Sequence, residues 1–180
     1  MSELEQLKQE LEKLTKKVKE LEKQEEQQEN GYPKLGETYY FVSGNYDGAK
    51  NIARVGKGQW ENDEDDLYIW NFCHGSTDKA KVEWTIKHIE LVNEIKKYTR
   101  PFEYGEQNWY YETDVDSNRL ISDFCTEYFH SSDYDFFAND NDVEKIIKKF
   151  GEKYILKILF KPIDGNYKAV MDWLAEQEEE

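Results

Sequence analysis

Little in this chain is equipped for covalent or metal chemistry. It has two cysteines, Cys73 and Cys125, too few for a disulfide scaffold and without metal-ligand spacing. Both read as small buried hydrophobes in a reducing cytosol. Histidine occurs three times. Cys73 and His74 are adjacent, which in a strand turns them to opposite faces, and a Cys–His pair would need His88 or His130 brought in by the fold. There is no Gly-rich phosphate loop, HExxH or GxSxG. Long apolar runs are missing too, so neither a membrane span nor a signal-peptide core is expected. These absences predict a non-enzymatic cytosolic protein without a cofactor.

Positive charge is also scarce. Lys and Arg total 24 against 39 Asp and Glu, a net charge of −15. Such a surface repels nucleic acid and anionic lipid, so neither is an expected direct partner, and it suits a partner whose binding face is basic. Aromatic residues are plentiful at 15%, enough for a core despite the charge. The fold class expected is α+β: an N-terminal coiled-coil helix followed by two small lobes, each of antiparallel strands plus a helix.

Residues 1–30 form the arm. Leu4, Leu7, Leu11, Leu14, Val18 and Leu21 alternate at spacings of three and four, a heptad seam flanked by Glu, Lys and Gln. The seam predicts a homo-oligomer, dimer first and trimer second. Residues 31–35, around Gly31-Tyr32-Pro33, read as a linker. The first lobe is placed at 36–100: a hairpin turning at Gly44–Gly48, a third strand over Leu67–Phe72, then a helix capped by Ser76 or Thr77. That helix carries its core face on Val82, Ile86, Ile89 and Val92 or Asn93, widened by Trp84, Leu91 and Ile95.

The second lobe, 101–180, reads as a repeat of this order. "NWYYETDVDSNRLISDF" is strand, turn and strand, and "EYFHSS" is an extended piece comparable to "WNFCHGS". A helix follows with Asn141 and Glu144 as a capping box, Val143, Ile146, Ile147 and Phe150 as its face, and Gly151 after its end. "YILKILF" fits a strand or a buried helix equally, and a last helix runs over Tyr167–Glu176.

The acidity is local. Within "GQWENDEDDLYIWNF", Glu61, Asp63, Glu64, Asp65 and Asp66 are hemmed by Trp60, Tyr68, Trp70 and Phe72. Residues 101–142 hold eleven acids against Arg119, a net of −10, and 145–161 hold six lysines against Glu152, a net of +5. Asp63, Asp65 and Asp66 resemble a calcium loop superficially, but the turn Gly and closing Glu are absent, and no metal is expected. Carboxylates at this density can instead imitate the charge of duplex DNA, and interface centres favour Trp and Tyr. The expected contact residues are Glu61, Asp63, Glu64, Asp65, Asp114, Asp116, Asp133 and Asp135. A solvated face kept for solubility is the plainer alternative.

Trp60, Asn62, Asp66, Asn71, Phe72, Thr77 and Ala80, followed by a helix ending "NEIKKY", resemble a module of small phage and prophage accessory proteins of Gram-positive bacteria. "YFHSS", "VEKIIKKFG" and "YILKILF" resemble the C-terminal part of the same proteins, so the likeness covers most of 36–160. It implies a phage origin and no catalytic residues. By analogy with acidic anti-CRISPR proteins, it implies an inhibitor in the host bacterial cytosol, acting as a DNA mimic on a basic nuclease effector. A second reading is a sponge for a nucleotide signal, with Lys145, Lys148, Lys149 and Lys153 taking phosphate beside Tyr or Trp. A third is a virion scaffold protein.

Overall fold

The computed structural model describes residues 5, 8, 10, 12–19, 31–45, 52–114, 119–127, 135–162 and 164–178. The chain is α+β, as expected, and divides into two compact units at Lys79/Ala80. In the arm, residues 12–19 are helical, with Leu14 57% and Val18 51% exposed. Leu4, Leu7, Leu11 and Leu21 lie outside the described residues.

The first unit contains an antiparallel hairpin, β1 (Thr38–Asn45) and β2 (Ile52–Gln59), and helix α1 (Glu64–Phe72). The register sets Tyr39 opposite Gly58 and Phe41 opposite Gly56. Both rings lie over these glycines: a Cβ on Gly58 would stand 2.8 Å from the buried Tyr39 ring. After α1 the chain returns along β1, where Tyr40 and Ser76 exchange backbone hydrogen bonds of 2.8 and 2.9 Å. Gly75 sits at this crossing because a Cβ there would meet the Trp70 Cα at 2.7 Å. The expected linker is packed: Pro33 is buried, and Tyr32 stacks on Trp60 at 5.5 Å.

The expected strand over Leu67–Phe72 is the body of α1. Asp66, Ile69, Trp70 and Cys73 stand at i, i+3, i+4 and i+7 and turn inward to differing depths. Asp63 caps the helix and Glu64, Asp65 and Asp66 fill its first turn, where the helix dipole favours negative charge. Those end effects and the inward stripe override the strand preference of the aromatic run.

The second unit holds α2 (Lys79–Ile95, all but its first residue), a 3₁₀ turn (Lys96–Tyr98) and a four-stranded sheet. The sheet order is β3 (Thr99–Arg100), β6 (Phe136–Phe137), β4 (Asn108–Asp114) and β5 (Arg119–Cys125). Helices α3 (Asp140–Phe150), α4 (Glu152–Leu159) and α5 (Tyr167–Glu178) follow. The core joins Trp84, Leu91, Val92 and Ile95 of α2 to Tyr111, Phe137 and the inner faces of α3–α5. The helix placed in the first lobe therefore packs with the second, and the boundary at 100/101 moves to 79/80. Helix-first order and three closing helices also differ from the first unit, so the two are not a repeat.

Three local expectations change in the second unit. Asn139, not Asn141, caps α3, accepting from the Asp142 N–H at 3.1 Å. "YILKILF" is largely helical, because Gly151, at φ 83°, ends α3 and lets α4 begin in a new direction with Ile155, Ile158 and Leu159 inward. Of "EYFHSS" only Glu127 is described.

Buried polar groups join these elements. Asn108 is fully buried and joins the 101–107 loop to β5: its Oδ1 accepts from Arg100 and the Glu103 N–H, and its Nδ2 donates to the Glu103, Glu106 and Cys125 carbonyls. The last carbonyls of α4 lack partners within their own helix. Trp84 Nε1 donates to the Lys157 carbonyl at 2.9 Å, and His88 Nδ1, which must carry the proton here, donates to that of Ile158 at 2.9 Å. Glu94 on α2 accepts from Lys149 on α3 and from Lys97, each at 2.5 Å, and these donors hold its pKa below the ordinary glutamate value.

A lowered pKa adds stability that is complete above the unfolded value, about 4.3, and is lost as pH falls through the folded one. Glu94→Gln is expected to destabilise the protein by about 0.5–1 kcal/mol at neutral pH, as for other partly exposed pairs. In denaturant titrations the gap between variant and parent should close as pH falls below the ordinary glutamate range.

Candidate interaction surface

The acidic run divides into an inward and an outward set. Asp66 is buried, 7% exposed, and accepts three hydrogen bonds. Its Oδ2 takes the N–H groups of Glu61 and Asn62 at 2.5 and 2.9 Å, and its Oδ1 takes the Tyr39 hydroxyl at 2.8 Å. Asn62 makes this possible: at φ 59° it occupies the left-handed region, which Asn tolerates, so two successive N–H groups converge on one oxygen. Burial, and then donation to Asp66, push the Tyr39 pKa well above the tyrosine range, so the hydroxyl stays a donor. Trp60, fully buried, packs edge-on with Tyr39 and Trp70 at 5.7 Å each. Asp63 is exposed, but its Oδ1 accepts the Asp66 N–H at 2.8 Å and caps α1.

The outward set is Glu61, Glu64 and Asp65, all exposed, and the same helix face carries Tyr68 and Phe72. These two rings are 61% and 71% exposed and lie 5.1 Å apart, one turn from each other. Glu64, Tyr68 and Phe72 follow at i, i+4 and i+8, with Asp65 alongside, so carboxylates and rings form one stripe. The first-turn acids have a structural reason in the helix dipole. The two rings have none among the described residues, since they contribute nothing to the buried core.

The other expected contact residues do not join this stripe. Asp114, half-buried at the end of β4, and exposed Asp135 before β6 belong to the second unit, and Asp116 and Asp133 lie outside the described residues. The lysine set also separates. Lys145 pairs with Asp142 at 2.6 Å, Lys148 with Glu144 at 3.7 Å and Lys149 with Glu94, while Lys153 faces a cleft on the second unit. Lys157 and Lys161 share that cleft and were not singled out in the sequence, although they follow Lys153 there at four and eight residues. Cys125 is buried and Cys73 partly so, and neither is in a disulfide. Among the described residues no group of three or more His, Cys, Asp or Glu is placed to hold a metal, and no helix is long and apolar enough to cross a membrane.

No protein-family model, curated protein or solved structure matches the chain. Trp60 and Asp66, buried, and Asn62, half-buried, build the turn that orients α1.

Asp66→Ala removes the acceptor of three buried or half-buried donors, and is expected to destabilise the first unit by about 2–3 kcal/mol. Tyr39→Phe should cost about 1 kcal/mol, and the double variant less than the sum, because both act on one network. Urea unfolding followed by tryptophan fluorescence measures the cycle, and strict additivity would contradict the coupling.

Proposed function

We propose that the protein is a non-catalytic binding protein whose acidic and aromatic α1 face docks against a basic partner. The observation that carries this reading is the close pair of tilted rings Tyr68 and Phe72, left exposed on the helix face that also carries Glu64 and Asp65. Aromatic rings supply much of the contact energy at interface centres, and surrounding carboxylates select a partner of opposite charge and speed its approach. The net charge of −15 extends that selection to long range. The resemblance to phage accessory proteins narrows the partner to a host nucleic-acid-handling defence machine, with a CRISPR effector foremost. Its DNA groove has the required charge, and the protein would inhibit by occupying it. Exposed Leu14 and Val18 suit an arm that pairs copies and presents several faces at once, raising avidity without new contacts.

The test is competition with labelled duplex DNA for purified CRISPR effector complexes from Gram-positive hosts, read by fluorescence anisotropy. The variants spare the cap Asp63 and the anchor Asp66. Tyr68→Ala with Phe72→Ala should weaken displacement by about 30-fold, as for interface hot spots, and Glu61→Gln, Glu64→Gln and Asp65→Asn together by about tenfold. Displacement should also fall steeply as salt rises from about 0.1 M to 1 M and the screening length shrinks from about 10 to 3 Å. Unchanged displacement by both variants, or none by the parent protein, would overturn the reading.

A further inference from the structure

The second unit carries a cleft of about 750 Å³ beside α4, bounded also by the end of β4 and the start of α5. That is within the range of small-molecule sites, roughly 300–1,000 Å³. Lys153, Lys157 and Lys161 line it at intervals of four residues. Trp173 of α5 positions two of them, with Lys153 Nζ 5.0 Å and Lys157 Nζ 5.4 Å from its ring centroid. None of the three makes an ion pair among the described residues, whereas Lys145, Lys148 and Lys149 on α3 are each held by a carboxylate.

The remaining lining is of two kinds. Leu156, Phe160 and Val170 provide apolar surface, with Phe160 the flat member. Thr113, Asn166 and the carboxylates Asp114, Glu152 and Asp164 are polar, the carboxylates being acceptors suited to hydroxyl or amino donors. A ligand that satisfies all of this carries an anionic group for the ammoniums, a flat apolar part for Phe160 and hydroxyls for the carboxylates. A bare anion satisfies only the first, and an anionic polymer is opposed by the acidity of the chain as a whole. A small anion has a better balance, because distant carboxylates are screened beyond about 8 Å at physiological salt and the three cleft carboxylates do not outnumber the three lysines.

We infer that this cleft binds a nucleotide, with its phosphate on Lys153, Lys157 and Lys161 and its base against Phe160. The ribose hydroxyls reach Asp114 or Asp164, the contact by which carboxylates commonly hold ribose. The site lies within the second unit alone and does not depend on the α1 face.

Calorimetry on the full chain tests it, with AMP, ATP and cyclic di-AMP as probes and inorganic phosphate as the comparison. At least one nucleotide should bind saturably, one per chain, with Kd below about 100 μM. Lys153→Gln with Lys157→Gln should weaken it by about 100-fold, two charge-assisted contacts being removed. Phe160→Leu should weaken the nucleotide and leave inorganic phosphate unaffected. Should the double variant unfold by circular dichroism, Lys161→Gln, exposed beyond the end of α4, replaces it with an expected loss of about tenfold. Absence of saturable binding at about 1 mM, affinity unchanged by the lysine variants, or inorganic phosphate binding as tightly as every nucleotide would overturn the inference.

Discussion

The first unit depends on one buried carboxylate. Asp66 accepts the Tyr39 hydroxyl from β1 and the backbone N–H groups of Glu61 and Asn62 from the turn after β2, while itself lying in the first turn of α1. A buried carboxyl group is tolerated only if its oxygens are well supplied with donors, and three are present. The hairpin, the Trp60 turn and the helix are thereby tied at one point. With Asp66 inward and Asp63 at the cap, helical spacing leaves Glu64, Asp65, Tyr68 and Phe72 outward. Burial of one acid fixes the orientation of the stripe offered to a partner.

The second unit meets the same requirement differently. Its links are an amide and two ring nitrogens: the Asn108 amide joins the 101–107 loop to β5, and Trp84 and His88 take up the last carbonyls of α4. That docking fixes α4 on α2, and Trp173 then holds Lys153 and Lys157 at the cleft. The cations are thus displayed by apolar and aromatic packing, while the acids of α1 are displayed by a hydrogen-bonded anchor.

Much of this architecture was legible in local pattern. The paired runs 38–45 and 52–59, and 108–114 and 119–125, showed hairpin grammar, and α2 and α3 showed inward faces at helical spacing. Leu67–Phe72 was misleading because Tyr, Ile, Trp and Phe favour strands on their own, while the deciding information lay upstream in Asp63 and Asp66. The unit boundary was hidden because no loop marks it: α2 begins directly after the Ser76 bridge, and its allegiance is decided by side chains distant in sequence. The acidic cluster looked uniform because composition does not distinguish a buried acceptor from a solvated one. Of the cleft lysines only Lys153 was legible, grouped with three that the fold pairs elsewhere, because which cations find carboxylates depends on where α2 and α3 cross, as at Glu94 and Lys149.

The division of the acidic run into an inward anchor and an outward face is the central claim, and amide hydrogen exchange on the full chain tests it directly. Asp66→Ala should strip protection from the Glu61 and Asn62 amides and from the first turn of α1, leaving the amides of the second-unit sheet as slow as in the parent. Glu64→Gln with Asp65→Asn should leave the Glu61 and Asn62 amides protected. Equal loss in both variants, or no loss with Asp66→Ala, would contradict the division.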